Sequence, residues 1–351
     1  MLMDRFWEGD VRALAPAAPP RVDRRNVALA SAIFLFFCGF ASVGYFLYER
    51  VGNDFTVFWT VANRPAALAY NWGSDVYGFP YAPTMLIWIQ PLRLVPLAMG
   101  FVLFNLLGIA LFVYTVRRHL PWGAVGLCLI SPALFSGVMT GQVSLILCSI
   151  VLAACATPNR LLAGLMFGIV ASVKPQLVLM APLFFILTRD WRAFVAAGAT
   201  FAAVVAASLL LFGTERWIDW YQSLGAFHHV VAKSNIIKLG VTPGIVAERW
   251  HLPRIGGMAI GAAIGILTLV FGRRRTAVEQ TALIGTASLM AAPYALGYDL
   301  IMFVPLIALT IWRGSFLPVM TAFPLYPLPL LASCRELLRK QPPDDPTPAT
   351  R

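Results

Sequence analysis

The chain has 351 residues, 59% of them hydrophobic and only 12% charged, and carries a formal net charge of +11. Soluble domains run nearer to roughly 45–50% apolar and about 25% charged residues, so the composition excludes a soluble enzyme and points to a helical membrane protein. A transmembrane barrel would need short alternating segments, which are absent. Nucleic acid is excluded as a partner because the basic residues are scattered in short groups between apolar runs.

In chain order, residues 1–26 form a polar, Pro-containing tail with Arg12, Arg21, Arg24 and Arg25, expected to be cytoplasmic. The run from Val27 to Tyr48 is long enough to cross roughly 30 Å of hydrocarbon and has no cleavage site, so it reads as a permanent span. An external loop over about 49–97 follows, mixing Asp, Asn, Arg and Gly with aromatics. Within it the Pro-bounded stretch from Pro83 to Leu94 reads as a re-entrant or surface-lying helix. Spans are predicted near 98–116, 121–137, 142–157, 161–174, 176–188 and 193–212, then near 256–272, 277–293 and 298–312. This assignment puts Arg117, Arg118, Arg160, Arg189, Arg192, Arg273 and Arg313 inside, as the positive-inside rule prefers. A last apolar segment near 315–332 is interrupted by prolines, and residues 334–351 read as a disordered tail.

The expectation is therefore an all-α, polytopic domain over 27–333 with about 10–12 membrane helices and a second external segment over about 213–255. In that second segment Trp217, Trp220, Tyr221, Leu224 and His228 recur at helical spacing, as in an amphipathic helix on the outer leaflet. Such a helix serves as an anchor or as a guide for substrate.

Three charged residues interrupt this apolar pattern on the predicted outer side. Asp54, in Gly-Asn-Asp-Phe, follows the first span; charge at that depth is retained where water, a partner or a substrate meets it, or as a cap or an ion pair with Arg50 or Arg64. Lys174, before Pro175, either snorkels as an anchor or offers a compact point charge to a lipid phosphate, with Gln142 arriving at the same side. Asp299, after Tyr298, begins a span and reads as a cap or as a site residue. Asp75 and Tyr77, just before Tyr81, are further loop candidates, Asp75 equally as a turn former. His228 and His229 are candidates to line an external cavity. The four histidines have no paired metal-ligand spacing, and four of the five cysteines sit in apolar runs without a CxxC pair, so neither a metal nor a cofactor is indicated. No Walker loop, dinucleotide fingerprint or large soluble domain is present to hold a nucleotide-activated donor.

Asp54, Asp75-Val76-Tyr77 leading into Phe79-Pro80-Tyr81-Ala82-Pro83, Pro91-Leu92 with Pro96, Gly141-Gln142, and Ala163-Gly164 leading to Lys174-Pro175 together resemble glycosyltransferase family 87 of the GT-C superfamily. That resemblance implies inverting transfer of a sugar, typically mannose, from a polyprenyl-phosphate donor to a glycolipid or glycan acceptor. The transfer is expected outside the cytoplasm, at the inner (plasma) membrane of a bacterium. It also implies Asp54 as the general base and, beside the donor phosphate, Lys174 with Gln142. The rival class is a transporter or flippase for a lipid-linked or anionic solute, which would place charged groups near mid-bilayer on broken helices. Here the notable polar residues collect at one predicted face.

Overall fold

The computed structural model describes residues 24–48, 51–71, 78–233, 240–313 and 328–339. Asp75 and Tyr77, Arg50 and most of the predicted segment 315–332 lie outside them. Within the described residues the fold is all-α, with a lone antiparallel bridge between Gly240 and Leu296.

Helix α1 (Arg24–Tyr48) brings the chain to the site end of the molecule, where α2 (Asn53–Ala62) and α3 (Thr84–Ile89) form the first inter-span region. The long α4 (Leu97–Val116) returns to the opposite end and leads to α5 (Trp122–Leu129) and α6 (Pro132–Thr140). Then α7 (Ser144–Ala156) leaves the site end and α8 (Arg160–Val173) comes back to it. After α9 (Ala181–Leu187), α10 (Trp191–Phe212) runs its full length to α11 (Thr214–Lys233) and α12 (Pro243–Arg249). The last group is α13 (Arg254–Phe271), α14 (Ala277–Ala291), a 3-10 segment at Gly297–Met302, α15 (Val304–Trp312) and α16 (Leu328–Leu338).

Three of these helices, α4, α10 and α13, are each long and apolar enough to cross a membrane alone. The predicted span at 121–137 is instead the pair α5–α6, bent by 53°. The cause is local: Pro132 cannot donate a helix hydrogen bond and disfavours α geometry before it. Ser131 restarts the helix by accepting from the Leu134 amide at 3.3 Å. Prolines act likewise at 176–188, which is a 3-10 turn (Pro175–Leu177) followed by α9, and at 298–312, where Pro305 opens α15 after the 3-10 segment. The 83–94 stretch is short helical structure, α3 and then a 3-10 turn over Gln90–Leu94. Of the segment expected to be disordered, 334–351, the first part is helical: α16 continues to Leu338 with Cys334, Glu336 and Leu337 buried, and residues 340–351 lie outside the described ones.

Two small-residue seams let backbones approach closely. A Cβ on Gly164 or Gly168 of α8 would collide with the Ala193 or Ala197 carbonyl of α10, and a Cβ on Gly261 of α13 with the Met290 carbonyl of α14. At the end away from the site, Arg160 donates to Asp190 at 2.6 Å, holding the α7–α8 turn to the start of α10. Arg273 bonds the Glu336 carboxylate at 3.1 Å and carbonyl at 2.9 Å, tying α16 to the α13–α14 turn. Thr276 and Glu279 form a reciprocal cap that starts α14 there. The Trp122-Gly123 turn packs against Trp312, so the end of α15 shares this face.

The amphipathic helix expected in the second external segment is α11, and its tryptophans face protein. Trp217 and Trp220 pack edge to face at 5.7 Å, donating to Ser208 at 3.2 Å and to the Pro80 carbonyl at 3.0 Å. Ile218 and Tyr221 take the exposed side.

Candidate active site

Two left-handed glycines build the seat of Asp54. Gly52 (φ 71°) precedes α2, and its amide donates to the Met139 carbonyl of α6 at 2.8 Å. Gly141 (φ 76°) ends α6; a Cβ there would come within 2.6 Å of the Phe55 Cβ. Any side chain at Gly141 would therefore meet both backbone strain and a clash. Phe55 itself is buried against Phe101 (5.8 Å) and Phe104 (5.4 Å) of α4, which clamps the first turn of α2. Asp54 thus sits in a helix's first turn, where the unpaired amides favour negative charge.

Three chain segments converge beside it. Gln142 follows Gly141, Ser144 opens α7, Lys174 ends α8, and Tyr298 and Asp299 open the 3-10 segment. Lys174 is 3% exposed and Asp299 1%, and the ammonium lies 2.7 Å from Asp299 Oδ1. Lys174 also donates to Ser144 Oγ at 2.9 Å and to Gln142 Oε1 at 3.4 Å, and lies 4.6 Å from the centre of the Tyr298 ring. Ser144 in turn donates to Asp299 Oδ1 at 2.7 Å, while the Leu296 amide bonds Oδ2 at 3.3 Å. Tyr81 closes the group by donating to Gln142 Oε1 at 3.2 Å, with its own carbonyl accepting from Tyr70.

Asp54 is half-buried. Burial raises its carboxyl above the ordinary range, opposed by hydrogen bonds from Gln142 and Thr140 and by the Lys174 charge, while the Asp299 charge adds to the rise. The Thr140 hydroxyl also lies 3.0 Å from the Ser136 carbonyl, so its single proton is shared and Gln142 is the steadier donor. Burial, with the Asp54 charge beside it, pushes the Tyr81 phenol well up, so it stays a donor. An ionised, partly accessible carboxylate held by donors can accept a proton from an incoming hydroxyl.

Of the predicted site residues, Asp54, Tyr81, Gln142, Lys174, Tyr298 and Asp299 come together. His228 and His229 do not: both lie exposed on α11, with His228 Nε2 3.5 Å from Glu248 Oε1. Lys174, expected beside a phosphate, has its three donor positions engaged by Asp299, Ser144 and Gln142. Ser144 and Thr140 were missed as site members, because a hydroxyl within an apolar helix ordinarily bonds its own backbone. The one available signal was proximity, since both lie within two residues of Gln142. Among the described residues, no three His, Cys, Asp or Glu side chains gather into a group able to hold a metal ion.

No curated protein and no solved structure matches this chain. The family model of Glycosyltransferase family 87 matches residues 79–296, well over half of the sequence. The matched segment contains Tyr81, Gln142, Ser144 and Lys174; Asp54 lies outside it, 25 positions before its start, and Tyr298 and Asp299 lie just past its end. With its all-helical membrane fold, this chain belongs to glycosyltransferase family 87.

Proposed function

We propose that the protein transfers a hexosyl unit, mannose, from a polyprenyl-phosphate donor to an extracytoplasmic glycolipid or glycan, with inversion at the sugar carbon. Asp54 is the general base. It takes the proton of the acceptor hydroxyl as the new glycosidic bond forms, and the sugar's bond to the phosphate breaks with the electron pair leaving on the lipid phosphate. A phosphate departs readily without a protein acid, whereas a hydroxyl is a poor nucleophile; a positioned base contributes typically ~10²–10⁴-fold. One carboxylate therefore suffices where hydrolytic glycosidases generally use two.

The observation that carries this reading is Asp54 itself, half-buried and oriented by amide and hydroxyl donors at one end of a membrane protein. The opposite end gathers Arg117, Arg160, Arg189, Arg192, Arg273 and Arg313, which supports an outward-facing site in a bacterial plasma membrane by the positive-inside rule. The buried Lys174–Asp299 pair on interrupted helices is the one feature that a transporter would share. Gln142, Lys174 and Tyr298 lie beside the base.

The test is transfer of labelled mannose from polyprenyl-phosphate-mannose by membranes containing the protein, with Asp54→Asn at equal expression. Transfer that collapses in the variant supports the class and the base. Transfer that survives removes Asp54 from the mechanism. Absence of transfer by the parent, with labelled lipid crossing proteoliposomes, favours the transporter.

A further inference from the structure

Gln142 has one side-chain oxygen and one amide nitrogen, and its neighbours determine which faces where. Three donors converge on Oε1: the Tyr81 hydroxyl at 3.2 Å, the Val143 amide at 3.2 Å and the Lys174 ammonium at 3.4 Å. An ammonium and a peptide N–H can only donate, so the oxygen must face them. The amide nitrogen is thereby turned to the other side, where the Gln142 side chain lies beside Asp54 and favours its ionised form. Lys174 reaches Oε1 because Asp299 and Ser144 hold its ammonium at 2.7 and 2.9 Å, in a pocket where all four side chains are buried. The charges of the pair offset each other, so its effect on Asp54 runs mainly through geometry.

We propose that Lys174 and Asp299 are positioning residues: as a buried ion pair they set the direction of the Gln142 amide, so that its N–H donates to Asp54. The carboxylate's remaining lone pairs are then left for the acceptor hydroxyl. The proposal rests on Asp54 as the base. It replaces the simpler role of Lys174 as a phosphate ligand, because an ammonium with three partners has no donor left for one. A single change at Lys174 or Asp299 would strand a buried charge, so the informative variant removes both.

The experiment compares pH profiles of mannosyl transfer from polyprenyl-phosphate-mannose for the full chain in proteoliposomes. The variants are Lys174→Met/Asp299→Asn together, Gln142→Met, which removes the amide and leaves the pair, and Asp54→Asn. Without the amide's donation the acid limb of the profile moves up by about one pH unit, a roughly tenfold loss below it that recovers at higher pH. Both variants are expected to shift the limb in this way. Should the double variant fail to fold, Gln142→Met carries the same readout. A uniform loss at every pH, or a raised donor KM with an unmoved limb, overturns the proposal; the second result returns Lys174 to the phosphate. In either case an inactive Asp54→Asn leaves the base assignment standing. An active Asp54→Asn overturns both.

Discussion

The two ends of this molecule both bury ion pairs, and they use them differently. At the arginine-rich end, Arg273 joins Glu336 and Glu279, and Arg160 joins Asp190; each contact ties one helix terminus to another. Glu279 also caps its own helix, so its carboxylate is committed to structure. At the other end, Lys174 and Asp299 match each other, and Asp54 is left beside them with amide and hydroxyl donors and part of its surface open. Similar buried charges thus act as fasteners in one place and as the frame of a reactive carboxylate in the other. What separates them is whether a carboxylate remains that no helix end requires.

That contrast can be broken by exchanging which end is injured. Asp54→Asn should lower transfer by about 10²–10⁴-fold while the melting temperature of the purified protein stays near that of the parent. A loss of folding with the loss of activity would make Asp54 one more fastener. Gly141→Val should come next, with transfer down by about 10²-fold, since misplacing a catalytic group by about 1 Å costs that much. A fully active Gly141→Val would show that α2 does not need its close seat on α6. At the opposite end, Arg273→Met should cost about 3 kcal/mol of stability by stranding Glu336, read as a lower melting temperature, with transfer per folded molecule unchanged. Thr276→Ala should show the same pattern at about 1 kcal/mol, through loss of the cap.

The pH dependence sharpens the comparison from the site end alone. A base works only when ionised, so transfer should fall as pH drops through the Asp54 pKa. Because burial raises that pKa, the fall should begin at a higher pH than for an ordinary aspartate near ~3.9. A profile flat down to that value would mean that the Asp54 carboxylate does not limit the reaction.

Much of the fold was legible because membrane helices are local features. The apolar lengths of α4, α10 and α13 and the arginines between spans can be read without any partner. The breaks at Pro132, Pro175 and Pro305 were visible as residues, but their consequence was not. Whether a proline kinks a span or splits it depends on what packs beside the freed carbonyls. The protein-facing tryptophans of α11 were unreadable for the same reason, since amphipathic spacing does not say whether lipid or another helix takes the apolar side.

At the site, sequence alone singled out Asp54, Gln142, Lys174 and Asp299 as polar residues ill suited to their apolar surroundings. It could not pair Lys174 with Asp299, which lies 125 positions further along, or admit Ser144, which reaches the same carboxylate across 155. It also advanced His228 and His229, which the packing leaves exposed on α11. Composition and periodicity therefore determined that this is a helical membrane protein with polar residues gathered toward one face. Only the tertiary structure decided which of those residues meet, because contacts between helix ends depend on helix length, crossing and the close approach that Gly52 and Gly141 permit, and none of these is a local property of the chain.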